Sequence, residues 1–363
     1  MPKVILISQV PLPYHTIGSW TTLYKNYFHR NHLIDTIVCE QPKELWKNVQ
    51  YSFVKQRLWD KIQIRITKNK YLSYFKALEK VIKPNQKYIL QIIDNHGIVE
   101  PLNDFLEKKG FRHNCYIQFF YHGYPPFHEN FAGRKFYEVI DEMIVLTLLS
   151  YRAHKDYYTI LPCKFSFLHN GVDTAKFFPL KEEKKLALKS EFNSNGKTIF
   201  VWCSQDRPKK GLHLLLEAWR RVYATNENIE LWVIGCEPKK EMEGVRYFGR
   251  IPNDNLPRYF QATDVFLFPV LNHEGFGMSL IEALHCGNYC IASALGGVPE
   301  VLAFGALGHL VSHPHFVENW IDAIEKYLQN PPEPIQFDHN LFSTDSWVAN
   351  MNRIIMEAKI SLL

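Results

Sequence analysis

No run of about 18 apolar residues occurs in this chain, so it offers no segment long enough to cross a bilayer as a helix. The start, MPKVILISQVPLP, has a largely apolar stretch of seven residues before Pro11 and Pro13 and lacks a small-residue cleavage site. It predicts a first β-strand and no signal peptide. The seven cysteines (Cys39, Cys115, Cys163, Cys203, Cys236, Cys286, Cys290) are odd in number, with no CxxC and no Cys/His spacing of a zinc finger. That argues against a disulfide framework or a structural zinc module, and predicts buried, reduced thiols in a cytoplasmic protein. There is no D-x-D, no H-E-x-x-H and no carboxylate cluster, so no metal site is expected. No G-x-G-x-x-G follows the first strand, which removes support for dinucleotide redox chemistry. Basic residues are dispersed rather than gathered with reader aromatics, so no nucleic-acid partner is expected. Repeats and low-complexity tracts are absent as well.

What is present points to a globular α/β protein. With 363 residues, 46% hydrophobic and 22% charged, the chain has core enough for two domains of about 150 to 200 residues each. Short apolar runs predict strands at VILISQV (4–10), DTIVC (35–39), YILQIID (88–94), YIQFFYH (116–122), EMIVLT (142–147) and FSFLHN (165–170). The second half repeats the style at TIFVWCS (198–204), IELWVIG (229–235), VFLFP (265–269) and YCIAS (289–293). Helical spacing appears between them, as in YLSYFKALEKVI, GLHLLLEAWRRVY, NLPRYFQAT and FVENWIDAIEKYLQ. Strands apolar throughout and separated by helices indicate parallel sheets covered on both faces. The charged stretch FFPLKEEKKLALKSEFNSNGKT (177–198) has little strand character and suggests a join at about 171–195. Ligands of open α/β sheets bind at the carboxyl ends of strands, so the cleft between two such domains is the default active site.

Charge divides along the same line. Residues 1–170 hold 23 Lys+Arg and 14 Asp+Glu, a net of +9; the rest hold 42 − 23 = 19 and 37 − 14 = 23, a net of −4. A basic first half and a mildly acidic second half suggest different partners, although solvated lysines can drift in number without function.

LNHEGFGMSLIEALHCG (271–287) is the densest chemical segment. It leads from a strand into a short helix that Gly287 stops. Gly275 and Gly277 leave little side chain at the helix mouth, where first-turn N–H groups and the helix dipole favour an anion. Glu274 precedes the helix and Glu282 lies a turn inside it. On one continuous helix, eight residues would separate them by roughly 12 Å. That is too far to share a proton and beyond the roughly 5–9.5 Å of paired glycosidase carboxylates. They suit different parts of one elongated ligand, such as a sugar, a phosphate and a ribose in line. A solvated loop acid and a helix-surface acid would share the spacing.

The run EGFGMSLIEALHCGNYCIASALGGVPEV resembles the E-x7-E segment of the family 4 (group 1) glycosyltransferases, retaining enzymes of the GT-B fold. The matching positions are Glu274, Gly275, Phe276, Gly277, Glu282, Ala283, Gly287, Gly296, Gly297, Pro299 and Glu300. HNGVD (169–173), FGRIPNDNLPRYFQATDVFLFP, YHG (121–123), IGSW (17–20) and the final FSTDSWVANMNRIIMEAKI extend the likeness over nearly the whole chain. The resemblance implies two Rossmann-like domains facing across a cleft. An acceptor domain at 1–171 would be covered by a returning C-terminal helix at 345–363, with a donor domain at 172–344. It further implies that Glu274 and backbone at Phe276, Gly277, Met278 and Ser279 position a donor sugar, and that Glu282 holds ribose hydroxyls. Backbone near Arg250 and Ile251 would meet the base, Gly18 would lie in a glycine loop against the donor, and His122 would touch the donor sugar. The family's phosphate-binding Gly-Arg and Lys-Gly are only half kept. CSQDRPKKG retains Lys210-Gly211 but has Cys203 and Ser204 in place of Gly-Arg, so Arg207 is the candidate substitute. His96 is a candidate acceptor contact and His273 a weaker one.

The reaction expected is metal-independent, cofactor-free transfer of a hexose, as UDP-hexose, to a hydroxyl of a glycan, lipid-linked or small-molecule acceptor, in polysaccharide or glycolipid synthesis. Rivals are a nucleotide-sugar epimerase of the same fold and a non-catalytic sugar-nucleotide-binding subunit, for which Ser204 argues. KNKYLSYFKALEKVIKP (68–84) has two readings: a core helix with Tyr74, Leu78, Val81 and Ile82 inward, or a surface whose lysines meet anionic headgroups. With the aromatic run PYHTIGSWTTLYKNYFHR, the second reading would place a cytoplasmic protein peripherally on the inner face of the membrane.

Overall fold

The computed structural model describes residues 1–14, 19–55, 69–124, 133–158, 160–238 and 241–363, with Ser19 described in its backbone only. The chain forms two compact units: Met1–His169 with Asp345–Leu363, and Asn170–Thr344.

The first unit is built on seven parallel strands: β1 Lys3–Ile7, β2 Thr36–Cys39, β3 Gln50–Phe53, β4 Tyr88–Ile93, β5 Cys115–Tyr121, β6 Glu142–Val145 and β7 Lys164–Phe167. Their order is β3-β2-β1-β4-β5-β6-β7. Side chains of β1 alternate between two cores. Ile5 and Ile7 join Phe75, Leu102, Phe136 and Tyr137 on one face; Val4 and Leu6 join Tyr24, Tyr27, Trp347, Met351 and Ile355 on the other. The first face is covered by α2 Leu72–Glu79, α3 Val99–Lys108 and α4 Arg134–Val139, with α5 Leu148–Tyr157 following β6; the second is covered by α1 Ser19–Phe28 and the closing helix Thr344–Ser361. With both faces covered, the central strands are apolar over most of their length.

Gln91, Gln118 and Glu142 are fully buried exceptions, paired in register across β4, β5 and β6, and Ser166, two positions beyond the register partner of Glu142 on β7, completes the row. Gln91 Nε2 donates to Gln118 Oε1 at 3.0 Å, Gln118 Nε2 to Glu142 Oε2 at 2.8 Å, and Ser166 Oγ to Glu142 Oε1 at 2.5 Å. Lys164 Nζ lies 3.3 Å from Glu142 and 2.8 Å from Glu357 of the closing helix, tying that helix to the sheet edge.

In the helix read from residues 68–84, Ser73, Phe75, Ala77 and Leu78 are the buried members of α2, with Ile82 buried beyond it. Tyr74 and Val81 are partly buried and pack against the same core, at the margin of the inward face assigned to them. Lys68 and Gly18 lie outside the described residues.

The second unit has six parallel strands: β8 Thr198–Cys203, β9 Ile229–Ile234, β10 Val245–Gly249, β11 Val265–Phe268, β12 Tyr289–Ser293 and β13 His309–Val311. Their order is β10-β9-β8-β11-β12-β13. α7 Leu212–Tyr223 and α11 Val317–Gln329 bring Leu215, Trp219, Trp320 and Ile324 against Phe200, Leu231, Val265 and Ile291. The other helices are α6 Glu182–Glu191, α8 Leu256–Ala262, α9 Met278–His285 and the short α10 Val298–Val301.

The stretch read as a join is α6, and it packs against α8 within the second unit. Two of its three lysines are not solvated linker charges. Lys185 and Lys189 reach Asp264, at the start of β11, at 2.8 and 2.6 Å, and Ile199 N–H donates to the same carboxylate at 2.8 Å. Burial pushes the Asp264 carboxyl up, but the two lysines and that N–H more than offset it and hold it below the usual range. Asp264→Ala is expected to lower the unfolding free energy of the second unit by about 3 kcal/mol, because two half-buried ammonium groups lose their counter-charge. Urea unfolding measures this, and an unchanged midpoint would show that α6 is held by other contacts.

Candidate functional site

The second sheet changes direction between β8 and β11: β9 and β10 continue on one side, β12 and β13 on the other. Loops leaving two such neighbouring strands diverge and open a crevice at their carboxyl ends. Both loops carry residues singled out in the sequence. After β8 the chain makes one tight turn at Pro208–Lys210 and enters α7 through Gly211. After β11 it runs through Pro269 and Glu274 to Gly277, where α9 begins. The two loops are joined by backbone: Leu271 N–H donates to Lys209 O at 2.8 Å. Gly211 has φ +70°, and a Cβ there would fall 1.8 Å from Pro269 O, so no side chain fits.

This junction brings Lys210 and Glu274 together, Nζ to Oε2 at 2.6 Å, with side chains 18% and 29% exposed. A contact between them was not expected from the sequence. Glu274 is held from behind: its backbone bridges Gly296, and Gly297 N–H donates to Glu274 O at 2.8 Å. Beside the pair, Leu280 and Ile281 N–H turn back to Gly277 O, while Met278 and Ser279 N–H meet no acceptor among the described residues. Gly275 and Gly277 are buried, and the Phe276 side chain is a packing anchor, 5.2 Å from Phe342 and perpendicular to it. Only the Phe276 backbone is left for the role that the resemblance implies.

The Glu282 side chain, one turn into α9, makes no hydrogen bond or ion pair among the described residues. Part of its side chain stays accessible, yet burial pushes its carboxyl up to about 8. Burial, and after it the charge of Glu282, raise the thiols of Cys203 at the end of β8 and Cys286 at the end of α9. The expected ribose-binding carboxylate is thus protonated for much of the neutral range. Arg207 is exposed and makes no ion pair among the described residues, so it is not gathered into the Lys210–Glu274 contact. Arg250 is exposed and Ile251 partly buried just after β10, at the carboxyl edge of the same sheet. His273 is exposed beside Glu274.

Among the described residues, no group of three or more His, Cys, Asp or Glu side chains is arranged to hold a metal ion. No helix among them is long and apolar enough to cross a membrane.

In the first unit His122 follows β5, with its side chain 14% exposed, and meets Asp94 at the end of β4. His96, two residues after Asp94, is exposed.

Residues 183–341 match the family model described as glycosyl transferases group 1. The second unit is a group 1 glycosyltransferase domain. A phosphatidyl-myo-inositol mannosyltransferase of Propionibacterium freudenreichii is 32% identical over 129 residues, covering 36% of this chain and 33% of the relative. A GDP-mannose-dependent monoacylated alpha-(1-6)-phosphatidylinositol monomannoside mannosyltransferase of Corynebacterium glutamicum is 26% identical over 185 residues, 47% of this chain and 48% of that one. The chain therefore spans a third to a half of the length of these curated relatives. Anabaena HepE, solved in complex with UDP, superposes with TM-score 0.73 over 98% of this chain and 100% of its own, at 13% identity. That likeness extends the shared GT-B fold, two Rossmann-like domains, across the first unit as well.

Within this glycosyltransferase domain the motif residues were legible in the sequence, but the Lys210–Glu274 contact and the burial of Glu282 were not. In the first unit Asp94 was missed altogether. Its only signal is an acid directly after a wholly buried strand, in the run Asp94-Asn95-His96-Gly97. The raised Glu282 carboxyl has a measurable consequence. Between the ordinary Glu range near ~4.3 and its folded value of about 8, the folded state keeps a proton that the unfolded state has released. Stability should therefore fall as pH rises through that window. Glu282→Gln should gain stability relative to the parent from pH 5 to 8, with the gap levelling off above 8, in thermal unfolding series. A gap that does not change with pH would mean that Glu282 ionises normally.

Proposed function

We propose that the chain is a retaining glycosyltransferase that moves a hexose from a nucleoside-diphosphate sugar to a hydroxyl of a lipid-linked or glycan acceptor. The observation that carries this reading is the half-buried Lys210–Glu274 pair beside the uncapped first turn of α9. A ligand that separates the pair must give each member a new partner. Inorganic phosphate would satisfy Lys210 and strand Glu274 next to a second anion. A neutral sugar would satisfy Glu274 and leave Lys210 without a counter-charge. A sugar diphosphate supplies hydroxyl donors and phosphate oxygens in one molecule.

In this reading Glu274 and the Phe276–Ser279 backbone hold the sugar. Lys210 and the Met278 and Ser279 N–H groups neutralise the diphosphate as it departs. Arg207 supplies a second cation where Ser204 stands for the family's arginine, and Glu282 engages the ribose. Gly18 and the Arg250–Ile251 backbone keep the donor contacts implied by the resemblance. The acceptor hydroxyl forms its bond to the anomeric carbon on the face from which the carbon–phosphate oxygen bond breaks. Its proton passes to the departing phosphate oxygen, so configuration is retained. Charge is met by cations and N–H donors, and transfer is expected to continue without an added divalent cation. The names of the curated relatives favour GDP-mannose and a phosphoinositide-type acceptor, with UDP-hexose as the second donor. The basic first half suits an anionic membrane surface on the cytoplasmic side.

A thermal-shift screen of GDP-mannose, UDP-glucose, GDP and UDP should show stabilisation by one sugar nucleotide. Acceptor-dependent release of the nucleoside diphosphate should follow with that donor. Lys210→Ala is expected to lower transfer by about 100-fold, within the range for loss of one electrostatic stabiliser. Unchanged transfer would remove the phosphate assignment. Acceptor-free isomerisation would point to an epimerase, and binding without turnover to a sugar-nucleotide-binding subunit.

A further inference from the structure

β4 and β5 are neighbours in the first sheet, and the residues that follow them face each other. Asp94 adopts φ 52°, a left-handed backbone that non-glycine residues seldom take and that concentrates at functional positions. This conformation turns both carboxylate oxygens onto one residue. Oδ1 accepts from His122 N–H at 2.8 Å, and Oδ2 meets His122 Nδ1 at 3.1 Å. Two contacts, one to backbone and one to ring, fix where the imidazole lies and which way it is turned.

Burial pushes the Asp94 carboxyl up, but the charge and hydrogen bonds of His122 more than offset it and hold it below the usual range. An ionised carboxylate only accepts hydrogen bonds, so the facing Nδ1 must carry the proton. Burial raises the nearby Tyr24 and Tyr121 hydroxyls, with Asp94 adding to the effect, so neither competes as an anion. Nε2 has no hydrogen-bond partner among the described residues and is not sealed from solvent. In the neutral ring it is a lone-pair acceptor.

We propose that Asp94 is a positioning residue: it holds His122 in the Nδ1–H form so that Nε2 accepts a hydrogen bond from a hydroxyl of the sugar substrate. This rests on the glycosyltransferase reading above. The left-handed turn at Asp94 is the structural cost of aiming the carboxylate, and a tautomer held in advance removes one source of disorder when the hydroxyl arrives.

The isosteric Asp94→Asn variant tests it. Its Oδ1 can keep the His122 N–H, which turns its NH2 toward Nδ1 and drives the ring proton to Nε2. Long-range proton–nitrogen spectra at alkaline pH should show Nδ1–H in the parent and Nε2–H in the variant. In steady-state transfer, kcat should fall by on the order of 100-fold, as for loss of one properly protonated side chain, while KM for the donor moves less than threefold. A parent ring in the Nε2–H form overturns the proposal whatever the variant does. So does a variant whose ring flips while kcat holds. Lys210→Ala assayed in parallel separates the two ideas: if transfer survives there, the reaction assignment fails while the His122 spectra still report on Asp94.

Discussion

Close crossing of backbone at the carboxyl ends of the second sheet is the constraint on which the candidate site depends. At Gly211 the place of a Cβ is taken by the Pro269 carbonyl, 1.8 Å away, and at Gly296 by the Glu274 carbonyl, 2.3 Å away. Each crossing locks a loop to its neighbour, so three loops from adjacent strands share one register. Lys210 and Glu274 are 64 positions apart in sequence yet meet at 2.6 Å because the peptides beneath them are already in contact. A long lysine side chain on a loose loop would lose up to about 2 kcal/mol of rotamer freedom on being held this way. On fixed loops much of that loss belongs to folding rather than to ligand binding.

The same two-sided burial that makes the sheets also decides what the sequence could disclose. Central strands such as YILQII and TIFVWC are covered on both faces, so their apolar runs were visible without any alternation. Edge strands have one neighbour and partial cover. QYSF and VRYFG are mostly half-buried, and HLV is three residues long, so no apolar run marks them. The helix Glu182–Glu191 escaped notice for a different reason. Only Lys189 is buried among its ten residues, and its hold on the fold is ionic, through Lys185 and Lys189 on Asp264. Charge pairs between distant positions leave no periodic signal.

The site divides along similar lines. Glu274, Gly277, Glu282 and the Lys210-Gly211 step are local patterns, and a single stretch of sequence carries each. Asp94 stands alone after a strand; its significance lies in parallel pairing that puts it across from His122, and no spacing reports that. The raised Glu282 carboxyl likewise has no local signal: Cys203, whose thiol its charge helps to raise, lies some 80 residues upstream at the end of β8.

Asp94 follows β4, Glu274 lies in the loop after β11 and Glu282 sits one turn into α9, and each meets the cost of a carboxylate away from water differently. Asp94 has a histidine and Glu274 a lysine, whereas Glu282 has no cation and holds a proton instead. These are not equivalent states for a ligand to meet. Separating Glu274 from Lys210 requires a ligand of both polarities. A protonated Glu282 can donate one hydrogen bond and accept another, which suits a pair of neighbouring hydroxyls better than an anion. An anionic group of a ligand would therefore suit Lys210 and the mouth of α9, and a neutral diol would suit Glu282. A phosphate placed at Glu282 would meet a carboxyl that has no cation beside it and would forgo the counter-charge of Lys210. In the proposed reading, the direction in which a nucleotide sugar lies follows from how the site handles its own acids.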